Sequence, residues 1–286
     1  MNYRDWWPLL RKTVSAWSDH EAARLGAALT FYSILSLAPL LILVVAIVAL
    51  VFGQSTAQGQ LIGQVEGMIG SEGGKAFRDM IEHAQKPVSG SFASIVSVIT
   101  LLFGASGVFG ELQAALNTMW DVKSDAGGGI WATVKQRFFS FGMVLAVGFL
   151  LLVSLVLSAA LAAFGKFFGG LLPAPEFVLS SINLVISLAA IAFLFALIFK
   201  YVPQTQIAWK DVWIGAIATA VFFTLGKYLI GLYLGKAAPG SAYGAAGSLV
   251  VVIVWIYYSS MIFLFGAEFT HVLATENKEA LTRASA

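Results

Sequence analysis

Apolar residues along this chain gather into six blocks, roughly Ser33–Phe52, Phe92–Gly110, Phe138–Phe164, Ser180–Tyr201, Val212–Leu234 and Ala245–Phe269. Charged residues collect between them. A bilayer core of about 30 Å is crossed by about 20 helical residues rising 1.5 Å each, so every block is long enough to span. Runs such as Leu40–Val51 are apolar on all sides, and the period-two alternation of an outer-membrane barrel strand is missing. The pattern predicts an all-α polytopic membrane protein with six transmembrane helices, forming a single transmembrane domain over residues 1–286.

The segments between the blocks carry patterns of their own. In residues 1–24, Trp6, Leu10, Val14 and Trp17 recur at helical spacing while Arg11, Lys12, Ser15 and Asp19 fall elsewhere around the wheel. That predicts a cytoplasmic helix lying in the membrane surface, or an amphipathic helix packed on the spans. Residues 53–91 form the one sizeable external loop. There Leu61, Val65, Met68 and Ile69, then Phe77, Met80 and Ile81, predict two short amphipathic helices split at Ser71–Gly74, with Lys86-Pro87 closing the segment. Such a pair is either a cap on the outer face or a solvated hairpin. Residues 111–137 read as a cytoplasmic loop and 270–286 as a cytoplasmic tail. Met1–Trp17 lacks the apolar core and small-residue cleavage site of a removable signal peptide, so the first span must direct insertion.

Composition agrees with a membrane bundle. The chain is 59% hydrophobic and 11% charged, against about 25% charged in soluble domains. Its net charge of +2 is unevenly spread. Arg4, Arg11, Lys12, Arg24, Lys123, Lys135, Arg137, Lys200, Lys210, Lys278 and Arg283 fall on alternate connections, whereas Lys75, Arg78, Lys86, Lys166 and Lys236 fall on the others. The positive-inside rule then places both termini in the cytoplasm. The positive balance is topology, and no nucleic-acid partner is expected.

Polar residues inside the spans are the ones hydrocarbon rejects, and they form the candidate substrate pathway. Pro39 removes a backbone donor within the first span and predicts a kink near Ser36–Leu40, with Tyr32, Ser33 and Ser36 just before it. The second span is expected to continue as one helix to about Trp120. Along it Ser106, Gly110, Gln113 and Asn117 make one small and polar face, beside a Gly104, Gly107, Gly110 track. Helix packing with amides bonding across the contact explains that face, and a water-lined vestibule is the alternative. Lys227 lies about two-thirds of the way along the fifth span, where its charge must snorkel or face a cavity, a carboxylate or an anionic ligand. Asn183 and Ser187 sit in the outer part of the fourth span. Glu268 closes the last span, as an interfacial carboxylate or as a gate partner for a cytoplasmic Arg or Lys.

Several chemistries lack their residues. The chain has no cysteine, which excludes disulfides and thiolate sites. His20, His83 and His271 are isolated in sequence, outside any metal-binding pattern, so no metal and no cofactor are expected. Walker and Gly-x-Ser-x-Gly motifs are absent, and no enzymatic activity is expected.

The run Ala28-Leu29-Thr30-Phe31-Tyr32-Ser33-Ile34-Leu35-Ser36-Leu37-Ala38-Pro39-Leu40 resembles the signature of the YihY/virulence factor BrkB family of bacterial inner-membrane proteins. Later pieces fit in order: Leu116-Asn117 with Trp120 and Val122, Tyr201-Val202-Pro203 with Trp209 and Gly215-Ala216, Tyr243-Gly244 with Gly247, Trp255-Ile256-Tyr257, and Gly266-Ala267-Glu268. The resemblance implies a six-span inner-membrane protein with cytoplasmic ends. Members have carried the name ribonuclease BN, generally regarded as misassigned, and others have been linked to serum resistance and envelope lipid transport. Many carry a longer charged C-terminal tail than the one after Phe269 here.

The leading expectation is a transporter or exporter of a lipid or another amphipathic, anionic envelope solute, with membrane lipids as partners. The alternative is a scaffold that recruits an envelope protein through residues 53–91. A homo-oligomer is compatible with both. A ribonuclease is disfavoured, because Asp121, Asp125, His20 and His271 form no metal-binding pattern in sequence.

Overall fold

The computed structural model describes residues 6–84, 107–122, 176–237 and 247–285, and every regular element among them is an α-helix. In chain order these are α1 (Trp6–Asp19), α2 (Ala22–Phe52), α3 (Gln54–Ala84), α4 (residues 107–119), α5 (Glu176–Tyr201), α6 (Trp209–Ala237) and α7 (Gly247–Ser285). The apolar blocks read from the sequence at residues 33–52, 180–201 and 212–234 fall within α2, α5 and α6, and that at 245–269 overlaps α7 from residue 247 onward. The block at 138–164, most of that at 92–110, and Ser106 lie outside the described residues. So do the side chains of Pro39 and Asn183, although α2 stays helical through Pro39.

Two of the described helices, Trp209–Tyr233 in α6 and Gly247–Ala280 in α7, are long and apolar enough to cross a membrane. Their outward faces suit lipid. Ile214, Ile217, Leu225, Leu229 and Leu232 of α6 stand exposed, as do Leu184, Val185 and Phe193 of α5. Exposed Trp209 and Trp213 mark one end of α6, and Tyr228 and Tyr233 mark the other. Aromatic rings at both ends of an apolar stretch match the two headgroup levels of a bilayer.

Inside hydrocarbon, oily side chains gain nothing by leaving lipid for one another, so close helix contact must come from shape. The α6–α7 interface provides it through two matching Gly-x-x-x-Thr runs, Gly215 to Thr219 and Gly266 to Thr270. Each threonine packs onto the other helix's glycine, Thr270 on Gly215 and Thr219 on Gly266. Each hydroxyl donates to its own helix's glycine carbonyl at 2.7 Å, so neither polar group is stranded in the apolar contact. Beside this lock, Phe195 and Phe199 of α5 pack on Phe263 of α7, with ring centroids 5.5 to 6.0 Å apart. The same core takes in Val212, Ala216 and Ala220 of α6 and Ala115, Leu116 and Met119 of α4.

Helix α3 departs from a straight rod. Glu66 and Arg78, twelve residues apart, would stand about 18 Å apart along an ideal helix. Their charged groups lie 3.6 Å apart, and the Glu66 side chain covers Gly74. The segment therefore doubles back near the Ser71–Gly74 break that its amphipathic pattern marks, although helical hydrogen bonding runs on through it. Its apolar face is wedged against the bundle. Leu61, Ile62, Phe77 and Ile81 surround Leu37 and Val45 of α2, while Val65, Ala76 and Phe77 meet Val252, Trp255 and Ile256 of α7. Leu37 is midway along α2, so this segment reaches well past a rim.

A methyl group on Gly266 would enter the Thr219 side chain, so Gly266→Ala is expected to cost about 1–3 kcal/mol through overpacking. Thermal unfolding in detergent should show a lower midpoint for it. Gly231→Ala, where nothing lies within 4 Å of the added carbon, should match or exceed the parent.

Candidate functional site

The ends of two helices meet the middle of a third around one carboxylate. Helix α1 stops at Asp19, and Glu21 takes the left-handed conformation, with φ 51, that turns the chain into α2. His20 lies on that corner. Helix α4 ends in the same fashion. Val122 N–H reaches back to the Asn117 carbonyl at 2.9 Å, and Asp121, also at φ 51, occupies the left-handed position of this C-terminal cap. Aspartate tolerates that conformation better than most side chains. The third element is α7, which carries Glu268 within its Gly266–Thr270 lock.

Glu268 has 0% exposure. Its Oε2 lies 2.8 Å from His20 Nδ1, and the other nitrogen of that ring, Nε2, lies 3.3 Å from Asp121 Oδ1. His271, one turn along α7, places Nδ1 3.6 Å from Glu268 Oε1 and tilts its ring against Trp120 at 5.0 Å. Burial alone would lower the proton affinity of His20. The hydrogen bond and charge of Glu268, reinforced by those of Asp121, outweigh it and raise the pKa above the ordinary 6.5. Glu268 is thus a buried acid with His20 and His271 as its neighbours.

The polar face of α4 has a different use. Gln113 Nε2 donates to the Val202 carbonyl at 3.0 Å. Asn117 accepts from the Gln204 N–H at 2.9 Å through Oδ1 and donates to the Gln204 side-chain carbonyl at 3.3 Å. Both amides clamp the irregular corner between α5 and α6, whose backbone groups would otherwise lack helix partners. Lys200 closes the same corner by donating to the Ile207 carbonyl at 2.5 Å, its amine 5.6 Å from the Trp209 ring centre. Gly107, at the start of described α4, packs on Tyr32 and Ser36 of α2.

The residues singled out in the sequence therefore fall into separate groups. Tyr32 and Ser36 meet at Gly107, Gln113 and Asn117 meet at the 202–204 corner, and Glu268 joins His20 and His271. Lys227 stands apart from all three. It is half-buried on the bundle-facing stripe of α6 with Ala216, Ala220, Phe223 and Ile230, and no carboxylate among the described residues pairs with it. His20, Asp121 and His271 escaped the sequence reading as a group, because 101 and 248 residues separate His20 from its two acids. Among the described residues no three His, Asp or Glu side chains are placed to hold a metal ion.

The family model described as virulence factor BrkB matches residues 13–286. A UPF0761 membrane protein of Verminephrobacter eiseniae is 28% identical over 253 residues, covering 87% of this chain and 58% of that protein. A UPF0761 membrane protein of Pseudomonas aeruginosa is 27% identical over 260 residues, covering 86% and 58%. The ribonuclease-like protein YfkH of Bacillus subtilis is 22% identical over 273 residues, covering 94% and 96%. The chain therefore spans little more than half the length of the two UPF0761 relatives. No solved structure matches. Relatives named as membrane proteins and the long apolar helices together make this a membrane protein.

Replacing Asn117 with leucine removes both bonds to Gln204 and leaves a buried corner unsatisfied. The loss is expected to be about 1–3 kcal/mol, read as a lower thermal midpoint in detergent, with Gln204→Ala losing less because the backbone N–H bond to Asn117 survives.

Proposed function

This chain belongs to the virulence factor BrkB family, and we propose that it is a six-span inner-membrane protein, both termini cytoplasmic, that moves a lipid or another amphipathic anion of the envelope. The observation that carries this reading is Lys227. An ammonium group within a span is costly to hold in hydrocarbon, and it persists where it meets water, a partner charge or a ligand. Here it lies on the inward stripe of α6, away from the lipid-facing stripe of Leu225, Tyr228, Leu229 and Leu232. With no carboxylate beside it among the described residues, the amine is available to a phosphate or carboxylate head group. The flanking apolar surface suits the tail of the same molecule.

The doubled-back segment of α3 supports a role on this pathway in preference to recruitment of an envelope protein. Among its described residues, Leu61, Ile62, Val65, Ala76, Phe77 and Ile81 pack on α2 and α7, within the same bundle. A segment built to capture a partner would leave that face open.

Proteoliposomes loaded with a fluorescent anionic phospholipid test the proposal. Transfer by the parent protein is expected above that of protein-free vesicles. Lys227→Ala should slow it about tenfold, the equivalent of about 1.4 kcal/mol, and Lys227→Arg should retain most of the rate. Parent protein no faster than empty vesicles rules transport of this lipid class out.

A further inference from the structure

The corner at His20 has a geometry that the transport reading does not use. Both nitrogens of the ring face a carboxylate, Glu268 at 2.8 Å and Asp121 at 3.3 Å. A neutral imidazole has one N–H and would turn a lone pair toward one of the two anions. Only the imidazolium donates to both. On the far side of Glu268, Oε1 and His271 Nδ1 are each buried without a hydrogen-bond partner and lie 3.6 Å apart. A buried carboxylate oxygen left unbonded is costly, and here the nearest titratable nitrogen is equally unbonded. One proton placed between them turns that contact into a donor and acceptor pair.

We propose that His20, Glu268 and His271, with Asp121 at the rim, form a proton-binding site that ties the α1–α2 corner and the end of α4 to α7. The proton resides on His20, whose two ring nitrogens face Glu268 and Asp121. Its loss leaves two carboxylates facing one neutral ring, and the joint weakens. Asp121, with its side chain 72% exposed, connects the site to water.

Among the described residues, Glu268 and Asp121 are the charged side chains that meet the His20 ring. Helix α6 presents Gly215 and Thr219 to this turn of α7, and Ala22, Leu25 and Leu29 of α2 belong to the same apolar core. Trp17 of α1 and Trp120, just past the end of α4, also pack against the core here. Glu21 and Arg24 at the corner are exposed and paired with each other, Lys12 pairs with Glu276 further along α7, and Lys200 is engaged at the α5–α6 corner. The direction of the pH effect follows from the raised affinity of His20. The contact contributes fully below pH 6.5, the ordinary histidine value, and is lost as pH rises through the higher folded-state value.

The chain has only three histidines, His20, His83 and His271, so isotope-labelled histidine can be followed by NMR in lipid nanodiscs across pH 5–9. His83→Gln and His271→Gln assign the signals. The His20 ring is expected to titrate above 6.5, and Glu268→Gln and Asp121→Asn are each expected to lower its midpoint, Glu268→Gln the more. If Glu268→Gln fails to fold, the exposed Asp121→Asn still decides the matter. The thermal midpoint should fall as His20 loses its proton, and fall less in Asp121→Asn. A His20 ring that titrates at or below 6.5, or a midpoint unmoved by Asp121→Asn, overturns the site. An equal thermal fall in both proteins overturns the tie. Neither result depends on whether the protein transports lipid.

Discussion

A carboxylate with no access to water dominates the α1 end of this bundle. An ion of that kind must be paired and hydrogen-bonded within the protein, since burial without compensation costs several kcal/mol. Glu268 meets the requirement on one oxygen through His20, 248 residues away, and holds His271 of its own next turn 3.6 Å from the other. Because His20 also contacts Asp121, the requirement of one buried acid fixes how the α1–α2 corner and the end of α4 sit on α7. The glycine and threonine lock between α6 and α7 fixes the face of α7 on which Glu268 is presented.

The same rule, that polar groups in a dry bundle find partners in protein, explains the second polar centre. The α5–α6 corner is irregular backbone beside a membrane-spanning core. Gln113, Asn117 and Lys200 take up its carbonyls and N–H groups. What the sequence shows as a small polar face on the second span is thus a clamp for a turn at its described end. The vestibule that the same face suggested finds no support in Gln113 and Asn117, whose amides are already bonded. Lys227 is the residue left over, with no carboxylate beside it among the described residues, and a charge within a span is where a ligand is most reasonably sought.

Much of the architecture was legible. The apolar blocks place α2, α5, α6 and α7, since a run of about 20 residues apolar on all sides has few uses outside a bilayer. The break at Ser71–Gly74 was legible from the change of amphipathic phase and its glycines. Its consequence was not, because the sequence gives no measure of how deeply a doubled segment inserts beside Leu37 and Trp255. Lys227 showed itself by being basic where all its neighbours are apolar. The histidine and carboxylate corner stayed hidden because its members come from three distant places in the chain, and only Glu268 and His271 share a local spacing. Only the helix ends, with left-handed Glu21 and Asp121, bring them together. The partners of Gln113 and Asn117 were hidden for a simpler reason, since the backbone carbonyl of Val202 and the backbone N–H of Gln204 carry no sequence signature.

The account rests on His20 and Glu268 acting as one unit, and a double-mutant cycle measures that directly. His20→Gln, Glu268→Gln and the double variant would be unfolded in the same detergent at pH 6, where the imidazolium is held. If the two side chains form the joint described, the double variant loses less than the sum of the single ones, by about 1 kcal/mol or more. Losses that simply add would show that the two residues stabilise the fold independently and would contradict it.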